Sequence, residues 1–244
     1  MTTPRPFPDA QKHGDLEEVF PDIFFVTGTV ALPGPLPLRI SRNMTILRHG
    51  GELTLVNSVR LGPDGLQALD NLGEVKNIIR LAAFHGMDDP FYKDRYGATV
   101  WSVDAPYFAG FDSKSDPYFH PDHIVKSEVK IPTKGAEFIN INSAKPNEGL
   151  MLLDRDDGIL IAGDSLQNWA KPDQNFSLLA RLMMPRMGFI KPCNVGPGWR
   201  KAAKPDASEI KAILDLDFEH VLPAHGAPVI GDAKQRYAPV INAL

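Results

Sequence analysis

Imidazole nitrogen and carboxylate oxygen are the side-chain donors that suit zinc, iron or manganese, and both also move protons near neutral pH. Two segments of this 244-residue chain end apolar runs on such groups. One is Ile159-Leu160-Ile161-Ala162-Gly163-Asp164-Ser165, and the other is Val221-Leu222-Pro223-Ala224-His225-Gly226-Ala227-Pro228-Val229. A third candidate group, His85 with Asp88 and Asp89, follows the β-rich run of residues 75–81. Side chains at strand ends can be aimed at one shared point, which is the geometry a metal or a catalytic constellation needs. Each residue also has a purely structural reading. Asp164 and Asp89 suit turns and helix caps, His85 suits a partly buried imidazole bonded to backbone, and His225 suits a His-Gly turn.

Other groups are weaker candidates. His120-Pro121-Asp122-His123 offers two histidines three apart, but its proline opposes the helix that would turn both to one ion, so a solvated loop is expected. His13, His49 and His220 lack a partner motif and are expected at the surface. Met183, Met184 and Met187 read as core, although soft methionine surfaces also line pockets or dimer contacts. Trp169, Phe176 and Trp199 are candidates to roof a cleft.

The elements that would position these groups alternate along the chain. Residues 1–18 read as an irregular lead-in and residues 19–244 as one domain. Residues 23–30 form a β-rich run, broken by Pro33-Gly34-Pro35-Leu36-Pro37. Residues 43–48 and 53–58 flank His49-Gly50-Gly51 as a hairpin. Pro63-Asp64 starts a helix with Leu66, Leu69 and Leu72 on one face. A strand over 75–81, a short helix from Asp89 and a strand over 98–103 follow, which argues for layered α/β architecture. Residues 104–122 read as a surface loop. Runs at 128–131, 137–141, 150–153 and 159–162 read as consecutive, antiparallel strands. Residues 176–187 are helical, 188–200 Gly- and Pro-rich, 208–216 helical, 218–222 a strand, and 233 onward a helix.

In their order and separation, the strand ending in Gly163-Asp164 and the strand ending in Ala224-His225-Gly226 resemble the last two metal-binding motifs of the metallo-β-lactamase superfamily. The resemblance covers roughly residues 20–235 and implies an αββα sandwich whose two sheets open onto one cleft. It places Asp164 at the metal-bridging aspartate and His225 at the final histidine. In that family two ions share a water and activate it for attack on an ester, thioester, amide or phosphodiester.

The chain departs from the family at three places. Ala83-Phe84-His85-Gly86-Met87-Asp88-Asp89 stands where relatives carry His-x-His-x-Asp-His. With His85 as the second histidine, Ala83, Met87 and Asp88 occupy the other positions; with His85 as the first, Met87, Asp89 and Pro90 do. Lys145, in Ser143-Ala144-Lys145-Pro146-Asn147-Glu148-Gly149, stands for the histidine of the third motif, with room for a slip of one residue. An ammonium group with a reference pKa of about 10.4 is a poor ligand, and it is expected instead as a fixed cation paired with Asp164. Asn57 replaces an early aspartate. His85, Asp88 or Asp89, Asp164 and His225 remain as metal ligands, enough for one zinc, iron or manganese ion or for none, and too few for two.

The resemblance therefore implies a hydrolase-like protein with an eroded metal centre, acting on a small ester or amide. Asp164 would orient water or metal, His85 and His225 would serve as ligands or acid–base groups, and Lys145 would stabilise developing negative charge. The alternative is an inactive member that works as a ligand-binding or homo-oligomeric module, since a fold is not a function. No Gly-rich phosphate loop and no G-x-S-x-G elbow supports a different α/β enzyme.

Composition narrows the classes further. Net charge is −4 with 23% charged residues, which argues against nucleic acid as a partner and leaves a small molecule. No apolar run approaches the roughly 18 residues of a membrane span. Met1-Thr2-Thr3-Pro4-Arg5-Pro6 lacks the apolar core of a signal peptide, so a cytoplasmic protein is expected. The single cysteine, Cys193, can build neither an intramolecular disulfide nor a Cys-based zinc site.

Overall fold

A computed structural model describes residues 7–107, 116–127 and 129–244; the expectation placed on residues 1–6 lies outside them. Seven strands form the first sheet in chain order: β1 (Glu17–Phe20), β2 (Ile23–Ala31), β3 (Arg39–His49), β4 (Glu52–Val56), β5 (Glu74–Arg80), β6 (Thr99–Ser102) and β7 (His123–Ile124). Pairing is antiparallel from β1 to β4 and parallel from β4 to β7. The second sheet contains β8 (Ala136–Ile141), β9 (Glu148–Leu153) and β10 (Ile159–Ala162), joined as an antiparallel meander. A separate ribbon pairs β11 (Leu166–Trp169) with β12 (Lys191–Val195). Finally β13 (His220–Pro223) runs parallel to β10 at the far edge of the second sheet.

Alternation along the strands explains the layering. Ile23 and Phe25 of β2 face inward, as do Ile159 and Ile161 of β10, and they meet with Phe138 and Met151 in one buried cluster between the sheets. Phe24 and Val26 face the other way and pack with Leu66 and Leu69 of α1 (Pro63–Leu72) and Tyr92 of α2 (Asp89–Tyr96). Behind the second sheet, Leu160 and Ala162 meet Trp199 of α4 (Pro197–Ala203), Ile210 of α5 (Ala207–Lys211) and Tyr237 of α6 (Ala233–Asn242). Two helical layers thus enclose two sheets, the αββα sandwich. Each buried Ile, Leu or Phe contributes about 1.5–3 kcal/mol of transfer free energy. Among the described residues, no helix is long and apolar enough to cross a membrane.

Several expectations need correction. Residues 129–131 form no strand and residue 128 lies outside the described residues; the sheet edge is the two-residue β7 instead. Of the expected surface loop, residues 104–107 and 116–122 carry no regular element, and 108–115 lie outside. The stretch 165–203 holds β11, β12 and α4, none of which its sequence signalled. Helix α5 is short and continues as a 3₁₀ turn over Ala212–Asp215. His13 and His220 are half-buried: each accepts a backbone N–H, from Gly62 and Gly231, both at 2.8 Å.

The largest reversal is α3 (Leu178–Arg186). Its residues Ala180 and Met184 bury against Trp169 and Phe176, while Leu178 and Leu182 stay 86% and 56% exposed. Of the three methionines read as core, Met184 is buried, Met183 half-buried and Met187 exposed. Met184→Ala is expected to cost about 2–5 kcal/mol in urea unfolding, whereas Leu182→Ser should change stability by no more than about 0.5 kcal/mol. Equal losses would place the core contact on the wrong face.

Candidate metal centre

Strand register brings the chemistry together. Ala162 of β10 lies opposite Pro223 of β13 in a parallel pair, so Asp164 and His225, two residues beyond each, emerge level with one another. The loop after β5 supplies His85 from the other sheet. A bridge between Ala82 and Glu148, and a bond from Gly149 N–H to the Leu81 carbonyl (2.8 Å), stitch that loop to the second sheet. Gly163 permits the approach, because a Cβ there would sit 2.5 Å from the Ala82 Cβ.

His85, Asp164 and His225 form one buried cluster, each offering a ligand atom within 4.8 Å of the others. His225 Nε2 lies 3.1 Å from Asp164 Oδ1, and His85 Nε2 lies 3.3 Å from Oδ2. The His85 nitrogen is off the hydrogen-bonding direction, and Oδ2 is buried without a donor. The two imidazole rings are 5.1 Å apart.

The rest of the His225 environment fixes its ring. Nδ1 lies 3.0 Å from the Ser41 carbonyl, so Nδ1 is the nitrogen that donates to the backbone. Its Nε2 faces Asp164 Oδ1 at hydrogen-bonding distance, 3.1 Å. Asn43 Nδ2 donates to the carbonyls of Pro223 (2.9 Å) and Gly226 (2.6 Å), and Asn168 N–H donates to the His225 carbonyl (2.9 Å). Gly226 has φ 88° and its backbone packs so closely on Asn168 that a Cβ would lie 2.1 Å from that carbonyl oxygen. The Trp169 ring packs 4.9 Å from His225, and Phe176 packs edge-on against Trp169.

Burial and mutual charge set the titration. Burial alone would raise the Asp164 carboxyl, but the facing His85 and His225 outweigh it and hold the group well below the usual carboxylate range. Burial pushes His85 down despite Asp164, favouring its neutral, ligating form.

The remaining predicted residues do not join. Asp88 is buried in an ion pair with Arg42 and accepts the Arg60 N–H (2.7 Å). Asp89 accepts from the Ser58 hydroxyl (2.6 Å) and the Tyr107 hydroxyl (2.7 Å), and burial pushes its carboxyl up. Both aspartates anchor the start of α2. Lys145 is exposed, and its expected pairing with Asp164 is taken by the two imidazoles. Asn57 bolts the floor: its Oδ1 accepts the Leu81 N–H (3.0 Å) and its Nδ2 reaches the Ala162 carbonyl (3.4 Å). Trp199 lies in the core behind the second sheet, so it roofs nothing. His120, Asp122 and His123 are exposed as expected, with Asp122 paired to Lys93.

Sequence reasoning missed Ser41, Arg42, Asn43 and Glu148. The first three are consecutive buried polar residues in β3: Ser41 and Asn43 support His225, and Arg42 supports the loop of His85. Three polar residues in the middle of a core strand are themselves a signal, since buried polar groups need partners. Glu148 is buried beside Asp164, where its Oε1 accepts the Ser165 N–H (2.6 Å).

No family model matches the chain, and no curated protein matches it. Solved structures do. VMB-1 superposes with a TM-score of 0.64 at 13% identity, covering 94% of this chain and 96% of its own. The DIM-1 metallo-β-lactamase gives 0.65 at 13%, covering 95% and 99%. The metallo-β-lactamase FIM-1 from Pseudomonas aeruginosa, in its mono-zinc form, gives 0.62 at 10%, covering 97% of each chain. The chain thus has the metallo-β-lactamase fold.

Two stability changes check these placements. Arg42→Ala leaves Asp88 buried without a counter-charge and should cost about 3–5 kcal/mol in urea unfolding. Lys145→Ala, at an exposed site, should shift the same measurement by no more than about 0.5 kcal/mol. The opposite order would mean that Lys145, rather than Arg42, is the structural cation.

Proposed function

We propose that the chain holds one divalent ion on His85, Asp164 and His225 and acts as a hydrolase on a small ester- or amide-type substrate. The observation that carries this reading is the convergence of His85, Asp164 and His225, all buried and each offering a ligand atom within 4.8 Å of the others. The donor set fits an ion. His225 Nε2 lies 3.1 Å from one oxygen of Asp164 and His85 Nε2 lies 3.3 Å from the other, and one ligand atom from each of the three residues lies within 4.8 Å of the rest. Two imidazoles and one carboxylate leave a fourth position open, as catalytic zinc sites do. Zinc, iron and manganese all accept this set.

When bound, such an ion supplies a Lewis acid that polarises a carbonyl and acidifies water near neutral pH. The chain's own groups do the rest. The Ser41 carbonyl aims His225 by holding its Nδ1 proton. Asp164 stays ionised at neutral pH, and the His85 ring stays neutral. Trp169 and Phe176 close one side of the site against water. A second ion is not part of the proposal: Ala83 and Met87 offer no ligand, and Asp88 is engaged by Arg42. The alternative, a non-catalytic module that binds a ligand or a second copy, draws support from the exposed apolar Leu178, Leu182 and Met187.

Elemental analysis of protein purified without added metal tests the reading. One equivalent of zinc, iron or manganese is expected in the wild type and none in His225→Ala or the near-isosteric Asp164→Asn. Zinc at about a hundredfold above its Kd should raise Tm by about 5–10 °C in the wild type alone. Metal-free protein whose Tm ignores zinc would favour the non-catalytic module. Bound metal without hydrolysis of nitrophenyl esters or anilides would retain the metal centre and remove the ester and amide substrates.

A further inference from the structure

Helix α3 turns to solvent a stripe that its own packing does not use. Leu178 and Leu182, one turn apart, are 86% and 56% exposed, while Ala180 and Met184 on the other side pack with Trp169 and Phe176. Arg186 continues the stripe at the next turn, and Arg181 flanks it; both are exposed. Grouped apolar exposure of this kind marks a surface that meets something other than water.

The hairpin between β2 and β3 extends the face. Ser177, the N-cap of α3, donates its N–H to the Arg39 carbonyl (3.0 Å), and its hydroxyl accepts the Arg39 N–H (3.2 Å). Leu32 and Leu38 of the hairpin pack in the same cluster as Ala180 and Met184. At the tip Leu36 is 44% exposed among Pro33, Pro35 and Pro37, whose rings fix φ and stiffen the turn.

Charge on these two segments has one sign. Residues 23–51 and 174–205 contain no Asp or Glu, in a chain whose net charge is −4. Arg39, Arg181, Arg186 and Lys191 are exposed and form no ion pair among the described residues. Arg181 donates to the carbonyls of Asp173 and Phe176, and Arg186 to that of Leu182, so neither charge is neutralised. The nearby Asp173 carboxylate is turned to the Asn175 N–H (2.8 Å).

We infer that α3, with the hairpin tip beside it, docks the protein on the surface of an anionic lipid bilayer. Leucine side chains enter the headgroup boundary, and Arg39, Arg181, Arg186 and Lys191 meet the phosphates. Such a surface complements both halves of the face, the apolar and the basic. A second copy does not: a two-fold contact would set Arg181 and Arg186 against their own counterparts, which like charge opposes. The contact is peripheral and requires no spanning helix. It is independent of any metal, although Trp169, against which α3 packs, also walls His225.

The test is co-sedimentation of the full chain, chelator-treated, with vesicles of phosphatidylcholine alone and of equal parts phosphatidylcholine and phosphatidylserine. Binding is expected to the mixed vesicles only, and is expected to fall as added salt screens the charges. Leu178→Ser and Leu182→Ser should each weaken it about tenfold, and Arg186→Ala and Lys191→Ala about fivefold each. Lys134→Ala, exposed before β8 at the end of the second sheet away from Asp164, should leave it unchanged. Leucine and cation variants are independent, so a folding defect in one leaves the others to decide. No binding to the mixed vesicles, equal binding to both kinds, or an equal loss in Lys134→Ala overturns the proposal. A Leu182-dependent dimer in sedimentation velocity, without lipid binding, overturns it as well and gives the face to a second copy.

Discussion

The bond between His225 Nδ1 and the Ser41 carbonyl decides what the cleft can be. It fixes Nδ1 on the backbone and turns Nε2 on Asp164, 3.1 Å away. The contacts around this pair all limit escape. Asn43 and Asn168 grip the backbone on both sides of His225, Trp169 blocks its ring, and Glu148 holds the turn that carries Asp164. The site is thus built rigid, with both imidazoles turned on the one carboxylate.

The two aspartates that follow His85 are not idle. Asp88 takes the buried Arg42 guanidinium and the Arg60 N–H, and Asp89 takes two hydroxyls. These contacts pin the loop of His85 to β3, to residues 58–60 and to Tyr107. Arg80 completes the job from below, donating to the carbonyls of Ala82, Ala83 and Ala105. Together they form a clamp of hydrogen bonds and one ion pair around the loop of His85.

Much of the architecture was legible because alternating burial leaves a mark. Ile23–Ala31, the hairpin about Gly50-Gly51 and the meander from Ala136 to Ala162 all show a period of two or a continuous apolar run. The convergence of Asp164 and His225 was legible through Gly163-Asp164 and His225-Gly226, where tight backbone approach forces glycine beside the buried polar group. The ribbon of β11 and β12 was not. Leu166-Gln167-Asn168-Trp169 and Lys191-Pro192-Cys193-Asn194-Val195 are short and polar, and their order comes from tertiary bonds such as Cys193 N–H to Asn168 Oδ1 (3.1 Å). Lys145 misled for a related reason. Its place in the motif suggested a partner for Asp164, but the chain presents that side chain to solvent while Glu148, three residues on, turns inward.

Arg42 shows why the clamp and the cleft belong to one design. A buried ion pair seldom adds net stability over an apolar pair of equal volume, since desolvating two charges offsets their attraction. Its benefit lies in direction. From one strand, successive residues 41, 42 and 43 reach His225, the loop of His85 and the carbonyls around Gly226. An apolar residue at position 42 could fill the space but could not set the height of the loop relative to β3. Because His85 and His225 descend from different sheets, their separation depends on that height. β3 is therefore the common reference from which both imidazoles are placed on opposite oxygens of Asp164.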